Sequence, residues 1–119
     1  MSRWLLVGLA ALAAGCAAAG EDEREAPHVV DVEIGRYSFE PGTSAALEVP
    51  RGREIVLRLT SVDVAHGFSI LEYNIHAQVP PGAVVEVRFF ADKPGAFTIF
   101  CTVFCGAEHP QHKGTLLVA

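Results

Sequence analysis

The feature that most restricts the fold is a series of short apolar–polar alternations separated by turn residues. The clearest alternations cover residues 28–34, 54–62 and 84–90. A two-residue period places the apolar side chains on one face of a β-strand. Proline and glycine turn signals recur roughly every eight to twelve residues, and no helical period follows residue 20. Shorter strands are predicted around residues 37–39, 46–49, 68–71, 96–102 and 115–118.

Seven or eight such strands in 119 residues predict one domain with an all-β fold, an antiparallel Greek-key β-sandwich. Half of the residues are hydrophobic and under a fifth are charged, which is enough apolar material for a core without disulfide bonds. The formal net charge of −5 excludes a basic nucleic-acid-binding surface and favours a basic partner.

Residues 1–15 are predicted to be a signal peptide of the lipoprotein type. Arg3 supplies the positive start, and residues 4–14 form an apolar stretch that as a helix would span only about 16 Å, roughly half a bilayer core. The segment ends at Cys16 like a bacterial lipobox, although Leu12 lies four residues before the cysteine rather than three. We expect Cys16 to be lipidated; ordinary signal-peptidase cleavage is the alternative, and both predict export.

The rest of the chain divides into a tether and a domain. Residues 16–27 include the charged sequence GEDEREAP and predict a flexible tether, because nothing in them has an apolar period. Residues 28–119 form the predicted sandwich. With Cys16 lipidated, the other two cysteines remain as a pair.

Four metal-binding side chains are concentrated near the end of the chain. Cys101, Cys105, His109 and His112 have the spacing Cys-x-x-x-Cys-x-x-x-His-x-x-His, and His66 is a fifth candidate upstream. Thiolates and imidazoles suit copper or zinc rather than magnesium or calcium. All five fall at predicted strand ends, where the loops at one end of a sandwich collect binding groups.

Three other interpretations of the two cysteines stay open from the residues alone. Cys101 and Cys105 could form a disulfide, although a three-residue spacer makes a small, strained ring. They could belong to a structural zinc site, although zinc fingers usually place about a dozen residues between the Cys pair and the His pair. They could also be core cysteines beside surface histidines.

Two longer motifs carry a resemblance to a known family. The segments LTSVDVAHGFSI and CTVFCGAEH, in this order and separation, resemble the dinuclear copper (CuA) domain of cytochrome c oxidase subunit II. The match is greatest with the small heme-copper oxidases whose subunit II has a single membrane anchor, and it extends over residues 53–118. The resemblance implies a cupredoxin-like fold and a pair of copper ions.

The resemblance also implies a role for each candidate ligand. Cys101 and Cys105 would be thiolates that bridge the two coppers, His66 would bind one copper and His109 the other. The backbone carbonyl of Val103 would be a weak axial donor. Such a site delocalises one unpaired electron over both metals and changes little on reduction, which keeps electron transfer fast.

His112 departs from the family pattern, which has methionine at this position. Met1 is the only methionine of the chain and lies in the predicted signal peptide. We expect His112 to be an axial copper ligand that lowers the reduction potential; a solvent-facing His112 and a site with a single copper are the alternatives. Beside His66, Gly67 and Phe68 are a candidate apolar rim for electron entry.

These observations predict an exported, membrane-tethered, CuA-like electron-transfer protein on the extracytoplasmic face of a bacterial membrane. Its partner would be a redox protein such as cytochrome c or an oxidase. The alternatives are a copper subunit of a terminal oxidase, and a copper carrier, chaperone or sensor. No Ser-His-Asp order, phosphate-binding glycine loop or paired-carboxylate pattern supports a hydrolase.

Overall fold

A computed structural model describes residues 25–104 and 106–119, which form nine β-strands and two single turns of 3₁₀-helix. The strands are β1 (His28–Gly35), β2 (Ser38–Glu40), β3 (Leu47–Val49), β4 (Glu54–Ser61), β5 (His66–Ile70), β6 (Ile75–Val79), β7 (Val84–Phe90), β8 (Gly95–Phe100) and β9 (Lys113–Val118). The predicted signal peptide, Cys16, most of the tether and Cys105 lie outside the described residues. In the part that is described, no helix is both long and apolar enough to cross a membrane.

The strands form two sheets with the orders β2-β1-β4-β7 and β3-β9-β8-β5-β6. The predicted all-β sandwich is confirmed, but its sheets are mixed rather than purely antiparallel. β1 pairs with β4 in parallel and β3 with β9 in parallel, while the other pairings are antiparallel. Alternation along a strand specifies which face is buried but not the direction of the neighbouring strand, so the sequence pattern could not distinguish these cases.

The alternation places the core as predicted. In β1, Val32 and Ile34 are buried while Asp31 and Glu33 are exposed. In β7, the charged side chains lie on the wet face and Val85, Val87 and Phe89 pack against the core. Val56 is an exception, because it is buried although it lies on the face of β4 opposite its buried neighbours.

The core lies between the two sheets and is made of aliphatic side chains and two phenylalanines. Phe39 of β2 and Phe68 of β5 are fully buried and meet edge to face with ring centroids 5.5 Å apart, which joins the sheets directly. Complete burial of a phenylalanine side chain stabilises the folded state by roughly 1.5–3 kcal/mol. This contact supports the end of the sandwich at which His66 lies.

Strand β6 is absent from the sequence prediction. Ile75 and Val79 are buried and Ala77 is half-buried, so the alternation was present in the sequence. The strand follows a turn at Asn74, whose φ of 52° is in the left-handed region that asparagine tolerates better than most residues. β6 completes a hairpin with β5 and thereby supports the strand that begins at His66.

Candidate metal centre

Three neighbouring strands bring three of the candidate ligands to one end of a sheet. β5 begins at His66, Cys101 follows the last residue of β8, and His112 precedes the first residue of β9. β8 lies between β5 and β9 and is antiparallel to both. The end of β8 therefore meets the starts of its two neighbours, although His66 is thirty-five residues from Cys101 in the sequence.

Strand register refines this placement. Phe100 pairs with Lys113, and beyond that pair the Cys101 amide donates a hydrogen bond to the His112 carbonyl oxygen over 3.3 Å. Cys101 and His112 thus continue the β8–β9 ladder opposite each other. On the other side of β8, Ser69 pairs with Phe100, so the antiparallel register directs the start of β5 toward the loop after Cys101.

Gly67 allows β5 to approach that loop closely. A Cβ at position 67 would lie 2.8 Å from the Thr102 amide nitrogen and 2.9 Å from the Val103 amide nitrogen, distances that real Cβ atoms essentially never show. A Cβ here would also collide with the Thr102 side-chain hydroxyl, so both that side chain and the backbone of the loop would have to move. The absence of a side chain at Gly67 is thus what lets His66 reach Cys101.

The three side chains form a compact, buried donor group. One ligand atom each from His66, Cys101 and His112 lie within 4.8 Å of one another, and the exposed fractions of these residues are 0%, 7% and 1%. The Cys101 Sγ lies 3.9 Å from His66 Nδ1 and donates to the Val103 carbonyl oxygen over 3.1 Å. Val103 therefore presents its carbonyl oxygen to the sulfur, beside the three donors.

Asp63 orients the His66 ring. Its carboxylate accepts a hydrogen bond from His66 Nε2 over 2.6 Å, so Nε2 carries the proton and the lone pair of Nδ1 faces Cys101. Burial raises the pKa of Asp63, but the hydrogen bonds from His66 and from the Arg36 and Val64 amides outweigh it. The net effect lowers the pKa from 3.8 to about 2, so Asp63 is ionised at neutral pH.

A backbone carbonyl orients His112 in a similar way. His112 Nε2 donates to the Ser38 carbonyl oxygen over 3.0 Å, which leaves the lone pair on Nδ1. The ring stacks on Phe39 with centroids 4.4 Å apart and meets the His66 ring edge to face at 5.1 Å. Burial lowers the pKa of His112 below 6.5, which favours the neutral imidazole that a metal requires. A solvent-facing His112 is thus not the arrangement in this structure.

His109, the other histidine predicted to bind copper, is placed differently. His109 begins the 3₁₀ turn His109–Gln111, is half-buried, and lies beside Phe104 with ring centroids 5.7 Å apart. It is not part of the group of three. Cys105 lies outside the described residues, so its predicted role as second thiolate stays a prediction.

The apolar rim predicted at Gly67 and Phe68 is wrong, because both residues are buried. Phe68 packs in the core, and Gly67 is covered by the loop at Thr102 and Val103. Exposed apolar side chains near the site belong instead to Phe104, 76% exposed, and Val62, 60% exposed. Phe104 also borders a shallow depression that Arg36 and Val64 line.

Sequence reasoning missed two of the groups that position the ligands. Asp63 lies three residues before His66 in the motif LTSVDVAHGFSI, and this short spacing could have indicated a hydrogen bond to the His66 ring. The Ser38 group is a backbone carbonyl on the opposite sheet, which has no signature in the sequence.

The donor group fits copper. A thiolate and an imidazole bound to one ion through bonds of about 2.0–2.3 Å would lie roughly 3.5–3.7 Å apart. The observed 3.9 Å between Cys101 Sγ and His66 Nδ1 needs only a few tenths of an ångström of contraction. The three ligand atoms together lie within 4.8 Å of one another, so the widest pair would have to approach by up to roughly 1 Å. Two imidazoles, one thiolate and a nearby carbonyl oxygen are the donors that copper proteins use for electron transfer.

Comparison with known proteins agrees with this fold. The chain matches the cupredoxin-like domain family over residues 5–118. It is 44% identical over 82 residues to cytochrome c oxidase subunit 2 of Thermus thermophilus, covering 69% of this chain and 58% of that protein. It is 39% identical over 75 residues to the nitrous-oxide reductase of Cupriavidus necator, covering 60% of this chain and 12% of the enzyme.

Among solved structures, the periplasmic domain of subunit II of the Bradyrhizobium japonicum cytochrome oxidase superimposes with a TM-score of 0.72. Sequence identity is 19%, and the alignment covers 81% of this chain and 86% of that domain, so it establishes the shared fold. The chain spans 58% and 47% of the lengths of the two Thermus thermophilus subunit 2 sequences that it matches.

Proposed function

The chain belongs to the cupredoxin-like domain family, and we propose that within it the protein is a CuA-like carrier of electrons outside the cytoplasm. The observation that carries the proposal is the buried group of His66, Cys101 and His112 at one end of the sandwich. The similarity of the chain to oxidase subunit 2 supports copper as the metal.

In the proposed site, the thiolates of Cys101 and Cys105 and the imidazoles of His66 and His109 would hold the copper. The Val103 carbonyl would be a weak donor, and His112 would stand where the family has a thioether ligand. Bound copper supplies a one-electron couple. The chain holds the ligands so that little rearranges when the charge changes.

The surroundings of the ligands support this role. Asp63 and the Ser38 carbonyl each accept the Nε2 proton of a histidine, which leaves both Nδ1 lone pairs for the metal. The stacked Phe39 ring restricts the motion of His112. Burial shields His66, Cys101 and His112 from water, and a stiff, dry site reduces the reorganisation that accompanies electron transfer.

The proposed partner is a redox protein such as cytochrome c or an oxidase. The exposed Phe104 and the depression beside it offer an apolar contact close to Val103 and the Cys101 thiol. A net charge of −5 favours a basic partner and would accelerate its association at low ionic strength.

Two versions of the proposal differ in assembly. The protein is either a tethered carrier or the copper subunit of a terminal oxidase, in both cases exported and attached to the membrane through lipid on Cys16. Burial of His66, Cys101 and His112 would slow the release of copper, which favours either version over a copper carrier that must release its metal.

The test is copper stoichiometry together with absorption and EPR spectra of the copper-loaded protein. Two coppers per chain, a seven-line hyperfine pattern and intense sulfur-to-copper bands are expected, because one electron is shared by two equivalent nuclei. Cys101→Ser should abolish this spectrum, while His28→Ala, at the start of β1, serves as a matched histidine control. A protein that binds no copper would contradict the proposal.

A further inference from the structure

We propose that His66, Cys101 and His112 form a metal site that is complete by itself for a single ion, which binds without Cys105 or His109. The inference rests on the proposed function only for the identity of the metal, copper. It concerns a mononuclear state that this chain forms with its own donors.

The donor count supports a self-sufficient site. His66 and His112 contribute two imidazoles and Cys101 one thiolate, with ligand atoms within 4.8 Å of one another. The Val103 carbonyl oxygen, 3.1 Å from the sulfur, is placed for a weak fourth contact. Two histidines and one cysteine with a weak axial donor are the ligand set of a mononuclear copper site for electron transfer. With a thioether at position 112, this group would have only one imidazole.

Each of the three donors has its own support. Asp63 holds the ring of His66, and the Ser38 carbonyl and Phe39 ring hold that of His112. The Cys101 backbone is bonded to His112 as an extension of the β8–β9 ladder. A metal entering such a group orders few side chains, which favours its binding before any second ion.

The pattern of exposure suggests the order of loading. The three donors are buried in the described sandwich, whereas His109 lies half-buried on a single 3₁₀ turn. The first ion would therefore occupy the group of three, and the second would complete the dinuclear site with Cys105 and His109. The single-copper protein then has its ion bound at one specific site, and it is an intermediate in loading.

The experiment uses the full-length chain with Cys16→Ser, so that only domain thiols remain. Adding Cys105→Ser and His109→Ala removes the second half of the site and the partner thiol for a disulfide. On addition of Cu²⁺ we expect one copper per chain, a four-line EPR pattern and an intense sulfur-to-copper band. The matched control adds His112→Ala to the same background and should lose that spectrum.

A second measurement does not depend on these variants folding. The Cys16→Ser chain with an intact site is titrated with Co²⁺, which does not oxidise thiols. The first equivalent should give a four-coordinate cobalt spectrum whose charge-transfer intensity corresponds to one thiolate. A first equivalent bound by two thiolates would overturn the inference.

The outcomes separate this inference from the proposed function. Two coppers in the intact site and none in a cooperatively folding Cys105→Ser/His109→Ala protein would overturn the inference and leave the function standing. One copper in both would support the inference and contradict the dinuclear site. Absence of copper from both would overturn both.

Discussion

His112 joins the two sheets. Its backbone directly precedes β9 in one sheet, and its imidazole Nε2 donates a hydrogen bond to the Ser38 carbonyl oxygen of β2 in the other. Imidazole is a stronger donor to copper(II) than a thioether is, so a ligating His112 stabilises the oxidised protein. His112→Met should therefore raise the reduction potential by several tens of millivolts. For a one-electron couple, a free-energy difference of about 1.4 kcal/mol corresponds to roughly 60 mV.

Redox titration of copper-loaded protein measures this effect. His76→Met is the matched control, since His76 is exposed on β6 and bonds only to Ser69 among the contacts described. An unchanged potential and spectrum in His112→Met would show that His112 is not a ligand.

The lowered pKa of Asp63 predicts that the metal-free domain loses stability at acidic pH. The pKa of Asp63 is lowered from 3.8 to about 2, so the stabilisation is complete above pH 3.8 and is lost as pH falls toward 2. Asp63→Asn should destabilise the domain at neutral pH, because it removes the charged hydrogen bonds of Asp63. The loss should be only about 1 kcal/mol, since the carboxylate is partly exposed and solvent screens its charge.

The difference in the free energy of unfolding between wild type and Asp63→Asn should become smaller below pH 3.8. Urea unfolding at several pH values measures this difference. Asp92→Asn, a substitution of another exposed aspartate, is the control. A difference that stays constant from pH 6 to pH 2 would rule out the charged hydrogen bonds of Asp63 as its cause.

At the scale of elements, the close approach of β5 to the loop after β8 determines whether the donors meet. Gly67→Ala places a Cβ 2.8 Å from the Thr102 amide nitrogen, and the strand and the loop must separate. We expect a loss of about 1–3 kcal/mol of stability, the usual cost of overpacking, and a weakened copper spectrum.

Thermal unfolding and copper titration test this prediction. Gly35→Ala is the control, because its Cβ would meet a Val62 side-chain methyl at 3.1 Å, which can move more easily than backbone. Equal behaviour of the two alanine variants in both measurements would contradict the role assigned to Gly67.

At the scale of the whole molecule, the described strands begin at His28 and form both sheets without the preceding segment. We expect residues 27–119 to fold alone. Circular dichroism should show a β spectrum with one cooperative thermal transition. A largely helical spectrum, or the absence of a transition, would contradict the predicted domain boundary.

The predicted lipid anchor is a separate property of the N-terminal segment. Cys16→Ser should move the expressed protein from the membrane fraction to the soluble fraction and abolish incorporation of labelled fatty acid. Cys105→Ser is the matched control, and its distribution should equal that of the wild type. Labelling that persists in Cys16→Ser would refute lipidation at this residue.

The amino-acid sequence by itself determined the class of fold and supplied the candidate metal ligands. Alternation is a local property of a strand, so the buried faces of β1, β4 and β7 could be predicted from their residues. The short spacing of Cys101 to His112 likewise indicated a soft-metal site, and the motif around His66 added the distant ligand through its resemblance to a family.

Only the tertiary structure decided how strands pair and which groups surround the ligands. The parallel pairing of β1 with β4 depends on contacts between distant residues, which a local period does not encode. The burial of His112 and its bond to the Ser38 carbonyl arise because β2 of one sheet packs over the end of the other. A backbone carbonyl is the same at every residue, so only folding could show which one holds the imidazole in place.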